Sequence, residues 1–466
     1  MAKEEKEEKA APEEIPETKV AEVDEQIKEI VGVFGEYSKV MLLMPRIRTA
    51  EGDVIPGPEY LDPKKPDQRK RFLTKPDYLK ARKQLLKRLQ VWKSLLSSAA
   101  EIAEVRRQAE ERAAKIEENL HNNLSKIFEE IRPLETTYRQ VDRFFMNAAP
   151  EPDEPVNAWF VNASLEELSD PDDRTKFEEF ATYIQNPYRS FSLTDCYSLM
   201  VLPGFLEDVQ TMDRFAELGA QNKVHVFTDL PDFDSVTEAM EFLDDPAFAS
   251  LSGSTDEKSY LSIGVNYLLG RPKNQYEQED LWISPSTVLA GLVYKNDEGV
   301  GVQQPSAGYK HGRATGVDHV KFRVNQRECT SLADRSTIPA VDWDGLVRYM
   351  NDATLFKGEN YNIYAVRRTR DYILKNVAHY LNKQTFILIN NRLLDTIKKD
   401  IYNFLTPLKG EGRMIEDFEI KVTSTPEQRK KQVVDVNLTI KCFFPAKTFN
   451  IYLQPHNTEE GTKVEM

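Results

Sequence analysis

The chain has 466 residues, of which 40% are hydrophobic and 30% charged, and its formal net charge is −14. This length allows two or three domains at roughly 150 residues each, no stretch approaches the ~20 apolar residues of a membrane span, and the charged N-terminus carries no secretory signal. The negative balance argues against a nucleic-acid binder, whose phosphate contacts need basic surface, and the distant Cys196, Cys329 and Cys442 fit buried thiols in a reduced, cytoplasmic protein.

Residues 1–25 form a Lys/Glu/Pro/Ala tail with almost no large apolar side chains, so disorder is expected there. A short apolar helix is expected at about 24–44, carried by Ile27, Ile30, Val31, Val33, Phe34, Val40, Leu42 and Leu43. Within the segment 26–76, Pro45, Pro56, Pro58, Pro63 and Pro66 then forbid one regular element. From Tyr78 to Ile131 the apolar residues step by three and four, through Leu85, Leu89, Trp92 and Leu96 to Leu120, Leu124, Ile127 and Ile131. That stripe predicts a helical arm over 77–145, as two long helices or one bent helix, set against a partner or folded as a hairpin. The basic cluster Lys80, Arg82, Lys83, Lys87 and Arg88 reads as a solvated helix face.

Residues 157–295 alternate strand and helix signals. Strands are expected at Trp159–Ala163, Tyr197–Leu202, Val224–Phe227 and Tyr260–Leu269, and helices at Phe177–Ile184, Met212–Leu218, Val236–Leu243 and Ser286–Val293. This alternation implies parallel strands with crossover helices, an α/β domain over 150–315. Residues 316–454 change character. A hairpin is expected from Leu346–Met350 to Thr354–Phe356, turning at Asn351-Asp352, then amphipathic helices at about 361–382 and 391–405. Three alternating strands follow, carried by Phe418/Ile420/Val422, by Val434 to Cys442, and by Phe449/Ile451/Leu453, before a polar tail at 455–466. The fold class is therefore α/β plus α+β, with long N-terminal helices.

The search for chemistry mostly fails. The turn Pro203-Gly204-Phe205 is followed by neither GxGxxG nor a P-loop, no GxSxG or HExxH occurs, and the six histidines are scattered. Asp232 and Asp234 read better as a helix-capping turn before Val236 than as an acid–base pair. No catalytic, cofactor or metal residues are assigned.

An ordered, non-catalytic series stands out instead. Ser284-Pro285-Ser286 opens a helix with Ser284 as its N-cap and Pro285 at its first position, leading to Ala290-Gly291. Then come Asn296-Asp297, Gly299-Val300-Gly301-Val302, Pro305, Ala353-Thr354-Leu355, and Tyr361 through Arg367-Arg368 to Tyr372-Ile373. From about Tyr197 to Leu453 this order resembles the contractile tail-sheath superfamily. With the acidic tail, the long helices, Asn390-Asn391 and Phe443-Phe444-Pro445-Ala446, it looks most like the TssC-type large sheath subunit of Bacteroidota. Ala353 stands where phage sheaths usually have Arg, and Gln303 where they often have an aromatic, which favours a secretion-type sheath over a phage one.

The resemblance implies a structural subunit, not an enzyme, that polymerises around an inner tube and contracts to propel it. It implies a small TssB-like partner forming a heterodimer, a helical self-assembly, an Hcp-like tube, a baseplate and a ClpV-like disassembly ATPase acting on the N-terminal tail, with neither nucleic acid nor membrane insertion. Phe449, Asn450, Ile451, Tyr452 and Leu453 are the candidate inter-subunit strand, apolar on one face as β-augmentation requires. Arg367, Arg368 and Arg370 are candidate lattice or tube contacts, or else a solvated helix face. Two alternatives remain on the residues alone. One is an α/β enzyme or ligand-binding protein with a helical arm and a polar pocket near Pro203, Leu230 and Gly270. The other is a coiled-coil adaptor built on 78–131.

Overall fold

The computed structural model describes residues 47–48, 54–55, 66–96, 102–149, 155–170, 174–188, 196–246, 248 and 250–449. The expected tail, the 24–44 helix, residues 450–453 of the candidate strand and the polar terminus lie outside these. The chain divides into two units, Met1–Leu124 and Ser125–Met466.

In the first unit β1 (Ile47–Arg48) pairs antiparallel with β2 (Val54–Ile55), and α1 (Pro66–Thr74) follows. Pro66 fits the first helical position because its missing N–H has no partner there anyway. α2 (Leu79–Leu96) is joined to α1 by Arg82, whose Nη1 donates to the carbonyls of Phe72 and Lys75 at 2.5 and 2.7 Å. The long stripe resolves into two helices, α2 and α3 (Ile102–Ala148), the second crossing from the first unit into the next. α3 runs beyond the expected arm, through Pro133, because its last turns are held by the second unit's core.

That holding is explicit. Arg271 reaches Glu135 on α3 through two hydrogen bonds of 2.6 Å and also donates to Glu277 at 2.8 Å, and Phe128 stacks on Tyr276. The Arg271 guanidinium pulls the Glu135 carboxyl down to about 2. A Cβ on Gly291 would lie 2.6 Å from Phe144 O, so glycine there lets a second helix approach α3 closely.

Next come α4 (Leu165–Ser169), α5 (Thr175–Tyr188), β3 (Leu199–Val201), α6 (Val209–Asn222), β4 (His225–Asp229), α7 (Val236–Asp244) and β5 (Leu261–Val265). β3, β4 and β5 pair in parallel, with β5 continuing to a parallel β8 (Thr337–Trp343) and β8 to an antiparallel β9 (Leu346–Tyr349). β4 and β5 are buried at every position, as strands covered on both faces are. Phe215, Met212 and Ile263 sit in one core cluster and Phe227, Val288 and Ile338 in another.

Three expectations are corrected. Trp159–Asn162 is irregular and exposed, and Ala163 half-buried, so this is not a buried strand; Trp159 packs on Tyr183 and Phe160 on Phe145 at the surface. The Tyr260–Leu269 strand breaks at Asn266, whose φ is 77°, into β5 and β6 (Leu268–Arg271), which pairs instead with β7 (Leu281–Ile283). Asn266 takes this conformation with its side chain bonded to Phe322 and Ala340. The hairpin lies one strand earlier than expected: β8 turns into β9 through Asp344 and Gly345, both at positive φ, as a tight hairpin turn demands.

After α8 (Pro285–Gly299), α9 (Gly308–His311) and α10 (Gln326–Asp334), the helix α11 (Tyr364–Asn382) begins inside the α/β core and ends outside it. Ala365 and Val366 belong to the sheet's core, while Ile373 and Val377 pack with Leu393, Ile397 and Ile401 of α12 (Asn391–Leu405). α12 shows its apolar residues every fourth position and is capped by Asn390, whose side chain accepts from Leu393 N at 2.8 Å. β10 (Ile415–Thr423) then pairs antiparallel with β11 (Asp435–Cys442), separated by the short α13 (Pro426–Lys430).

Candidate assembly site

The ligand-binding alternative needs an open crevice at the carboxyl ends of β3, β4 and β5. Those ends are filled. Asp229 closes β4 and is fully buried; its Oδ1 accepts from Ser286 N at 2.7 Å and its Oδ2 from Ser286 Oγ at 2.5 Å and Gly204 N at 2.9 Å. Ser284 does occupy the N-cap position of α8, with Pro285 first, yet its hydroxyl makes no capping bond. The cap is supplied from β4 by Asp229. Burial pushes that carboxyl up to about 7, against the pull of its hydrogen bonds. A Cβ on Gly264 would lie 2.6 Å from Asp229 Oδ1, so the site is packed to the atom. Asp232 and Asp234 hold Lys321 at 3.0 and 2.8 Å, while Ser235 caps α7. Among the described residues no group of three His, Cys, Asp or Glu is placed to hold a metal ion.

The open feature lies elsewhere, between α11 and β11. Leu374, Val377, Ala378 and Leu381 recur at i, i+3, i+4 and i+7, which sets them on one helix face. Val436, Leu438 and Ile440 recur at every second residue, which sets them on one strand face. The two rows line a groove of about 380 Å³, which Asp256, Tyr361, Arg367, Arg370 and Asp371 also line, the exposed Arg370 at its mouth. Across β10 the same face continues, with Phe418 opposite Ile440, Ile420 opposite Leu438 and Val422 opposite Val436. Among the described residues β11 pairs only with β10, and no strand of theirs lies along its other edge.

The arginines fall into two groups. Arg367 is buried; its Nη1 meets Asp256 at 2.9 Å, its Nε lies 3.5 Å from Asp371, and its guanidinium stacks 3.9 Å from the Tyr260 ring. Tyr260 Oη donates to Asp371 Oδ1 at 3.1 Å, and burial lifts the Asp371 carboxyl above its ordinary range despite Arg367. Arg368 is also buried and forks onto Asp297, one bond being 2.9 Å. Both therefore have carboxylate partners within the chain and anchor α11 to the body. Arg370 is exposed over Tyr361 at the groove mouth. Of the candidate strand, Phe449 is described: it is exposed and follows an irregular segment from Phe443. The sequence reading missed the groove, although the 374/377/378/381 spacing was present in it. It missed Asp229 because a cap delivered from a distant strand leaves no local pattern.

Three family models cover the chain in succession. Residues 52–124 match the TssC/VipB-like N-terminal region, 126–357 the type VI secretion system TssC/VipB central domain, and 363–466 the TssC/VipB-like C-terminal domain. The chain belongs to the TssC/VipB family. It is a contractile-sheath subunit of an injection system. Among solved structures, the helical sheath of the anti-feeding prophage in its contracted state aligns at TM-score 0.51 and 14% identity over 68% of this chain and 82% of that one. The sheath complex of the extracellular contractile injection system PVC aligns at TM-score 0.47 and 17% identity, over 59% and 75%. No curated protein matches. The TssC/VipB domain junction near residue 360 coincides with the start of α11, where the chain passes from the α/β sheet to the groove-bearing module.

Proposed function

We propose that the chain is the large subunit of a type VI secretion-like sheath whose copies are linked by strand addition at β11. The observation that carries this is the free β11 edge beside an apolar groove. Val436, Leu438 and Ile440 repeat at the same spacing as Phe449, Ile451 and Leu453, so an added strand lays three apolar side chains along the floor of α11. A neighbour's terminal strand fits that place, and a contact between unlike surfaces that does not close generates a helical polymer. Contraction is then a switch between two packings of rigid subunits, with a small gain per copy multiplied along the polymer.

The remaining partners follow from the family. A small TssB-like subunit forms the heterodimer, and α3 offers it a face: Ile127, Ile131, Leu134 and Tyr138 step by four, three and four and are all exposed. Arg370 is the remaining exposed member of the arginine group and serves as a contact to a neighbour or to the Hcp-like tube. In this reading the sheath grows from a baseplate in the cytoplasm, and a ClpV-like ATPase recycles it through the N-terminal tail. The protein acts mechanically and catalyses no reaction.

Replacing Tyr452 by proline tests the linkage, because proline deletes a ladder hydrogen bond while sparing the apolar row. The variant, co-expressed with the small subunit, is expected to give soluble heterodimer with unchanged melting and no tubes by electron microscopy. Normal tubes would remove this strand from the mechanism; a fold weakened by several kcal/mol would mean that it completes its own subunit.

A further inference from the structure

Asp352 follows β9 and is buried, with 2% of its side chain accessible. Its carbonyl accepts from Tyr364 N at 2.9 Å, at the start of α11. No neutral donor is bonded to either carboxylate oxygen. Among the described residues the one cation set against it is Lys447, whose Nζ lies 2.6 Å from Asp352 Oδ1. The same Nζ donates to Asn351 Oδ1 at 2.9 Å. Asn351 is itself fixed, since its amide nitrogen donates to Thr337 O at 2.8 Å and to Ala333 O at 3.3 Å, which turns its oxygen toward the lysine. Lys447 belongs to the irregular segment that leaves β11 after Cys442, where Phe443, Phe444 and Phe449 are exposed.

We propose that Lys447 with Asp352 and Asn351 forms a latch that fixes where the C-terminal arm leaves the body. A buried carboxylate is tolerated when a charge partner is held against it, and removing that partner strands the charge. The lysine is half exposed and regains water when released, so the two partners are unequal. Residues 443–447 are thereby held to their own subunit, and the chain is free to diverge only beyond Lys447. The latch stands on this geometry alone; the use of the arm beyond it rests on the strand-addition reading.

Limited chymotrypsin digestion of the full-length, unassembled protein tests it, with K447A, D352N and the double variant. Cleavage after Phe443 and Phe449, which requires this segment to leave the body, is expected to quicken roughly tenfold or more in each single variant, the scale of a lost interaction with a charged group. K447A is expected to lower the melting temperature more than D352N, and D352N added to K447A to restore part of that loss. Unchanged cleavage at these two sites in D352N, which leaves no charge stranded, overturns the latch, as does strict additivity of the two melting shifts. Tube formation is not part of this readout, so a failed latch and a failed strand addition are told apart.

Discussion

The α/β sheet and the β10–β11 module are built from similar residues and end in opposite states. β4 and β5 are buried at every position and flanked by strands on both sides, and even the polar end of β4 is consumed by Gly204 and Ser286. β10 and β11 are two strands with alternating exposure, one covering pair of helices, and free edges among the described residues. A two-stranded ribbon is marginal in water and gains most from a further strand or a covering layer. The first region is closed, and the second keeps an edge that can take a further strand.

Substitution in the two regions gives the largest contrast. Phe227 is fully buried against His225 and Tyr364, so Phe227→Ala is expected to cost about 3–5 kcal/mol in thermal or denaturant unfolding. Leu438→Ala, on the half-buried groove floor, is expected to cost no more than about 1 kcal/mol in the isolated chain, in line with a small, incompletely enclosed side chain change, and to lose tubes. Equal losses of stability at both sites would mean that the groove is part of a closed core.

The titration of Asp229 sharpens the same comparison. Its carboxyl stands at about 7 in the folded chain, above the ordinary value of 3.8, because burial disfavours the charge. The folded state therefore binds the proton more tightly than the unfolded one, and this group's contribution is full below pH 3.8 and is lost as pH rises through about 7. Asp229→Asn cannot titrate. The stability of wild type relative to that variant is expected to fall by a few kcal/mol, in order of magnitude, between pH 4 and pH 8. A difference independent of pH would show that Asp229 is ionised throughout and held by its three donors.

Much of this architecture was legible because its signals are local. The periods of α11 and α12, the alternation of β10 and β11, and Pro285 at the head of α8 can all be read from neighbouring residues. What escaped depends on distant chain. Trp159-Phe160-Val161 has strand-forming residues but pairs with no strand among the described residues, and the continuous run through Asn266 hides a turn fixed by Phe322 and Ala340. The arginines show the limit most plainly: Arg367, Arg368 and Arg370 stand together in sequence, and only their carboxylate partners at 256, 297 and 371 tell anchors from free charges.

The smallest expected effect on stability belongs to Arg370. It is exposed and stacks 4.6 Å from the Tyr361 ring, an arrangement that contributes about 0.5–1 kcal/mol at a solvated site. Arg370→Ala is therefore expected to leave melting nearly unchanged, whereas Arg368→Ala, which strands Asp297, is expected to cost about 3–5 kcal/mol as for a broken buried pair. The informative quantity is assembly as a function of salt. A guanidinium facing a neighbour's carboxylate loses its attraction as the Debye length shrinks from roughly 8 Å at physiological salt to about 3 Å at 1 M. Tubes of the wild type are expected to weaken with salt, tubes of Arg370→Ala to be fewer and less salt-dependent, and tubes of Arg370→Glu fewest at low salt. If Arg370→Ala assembles to the same extent with the same salt dependence, the residue is a solvated helix face and plays no part in assembly.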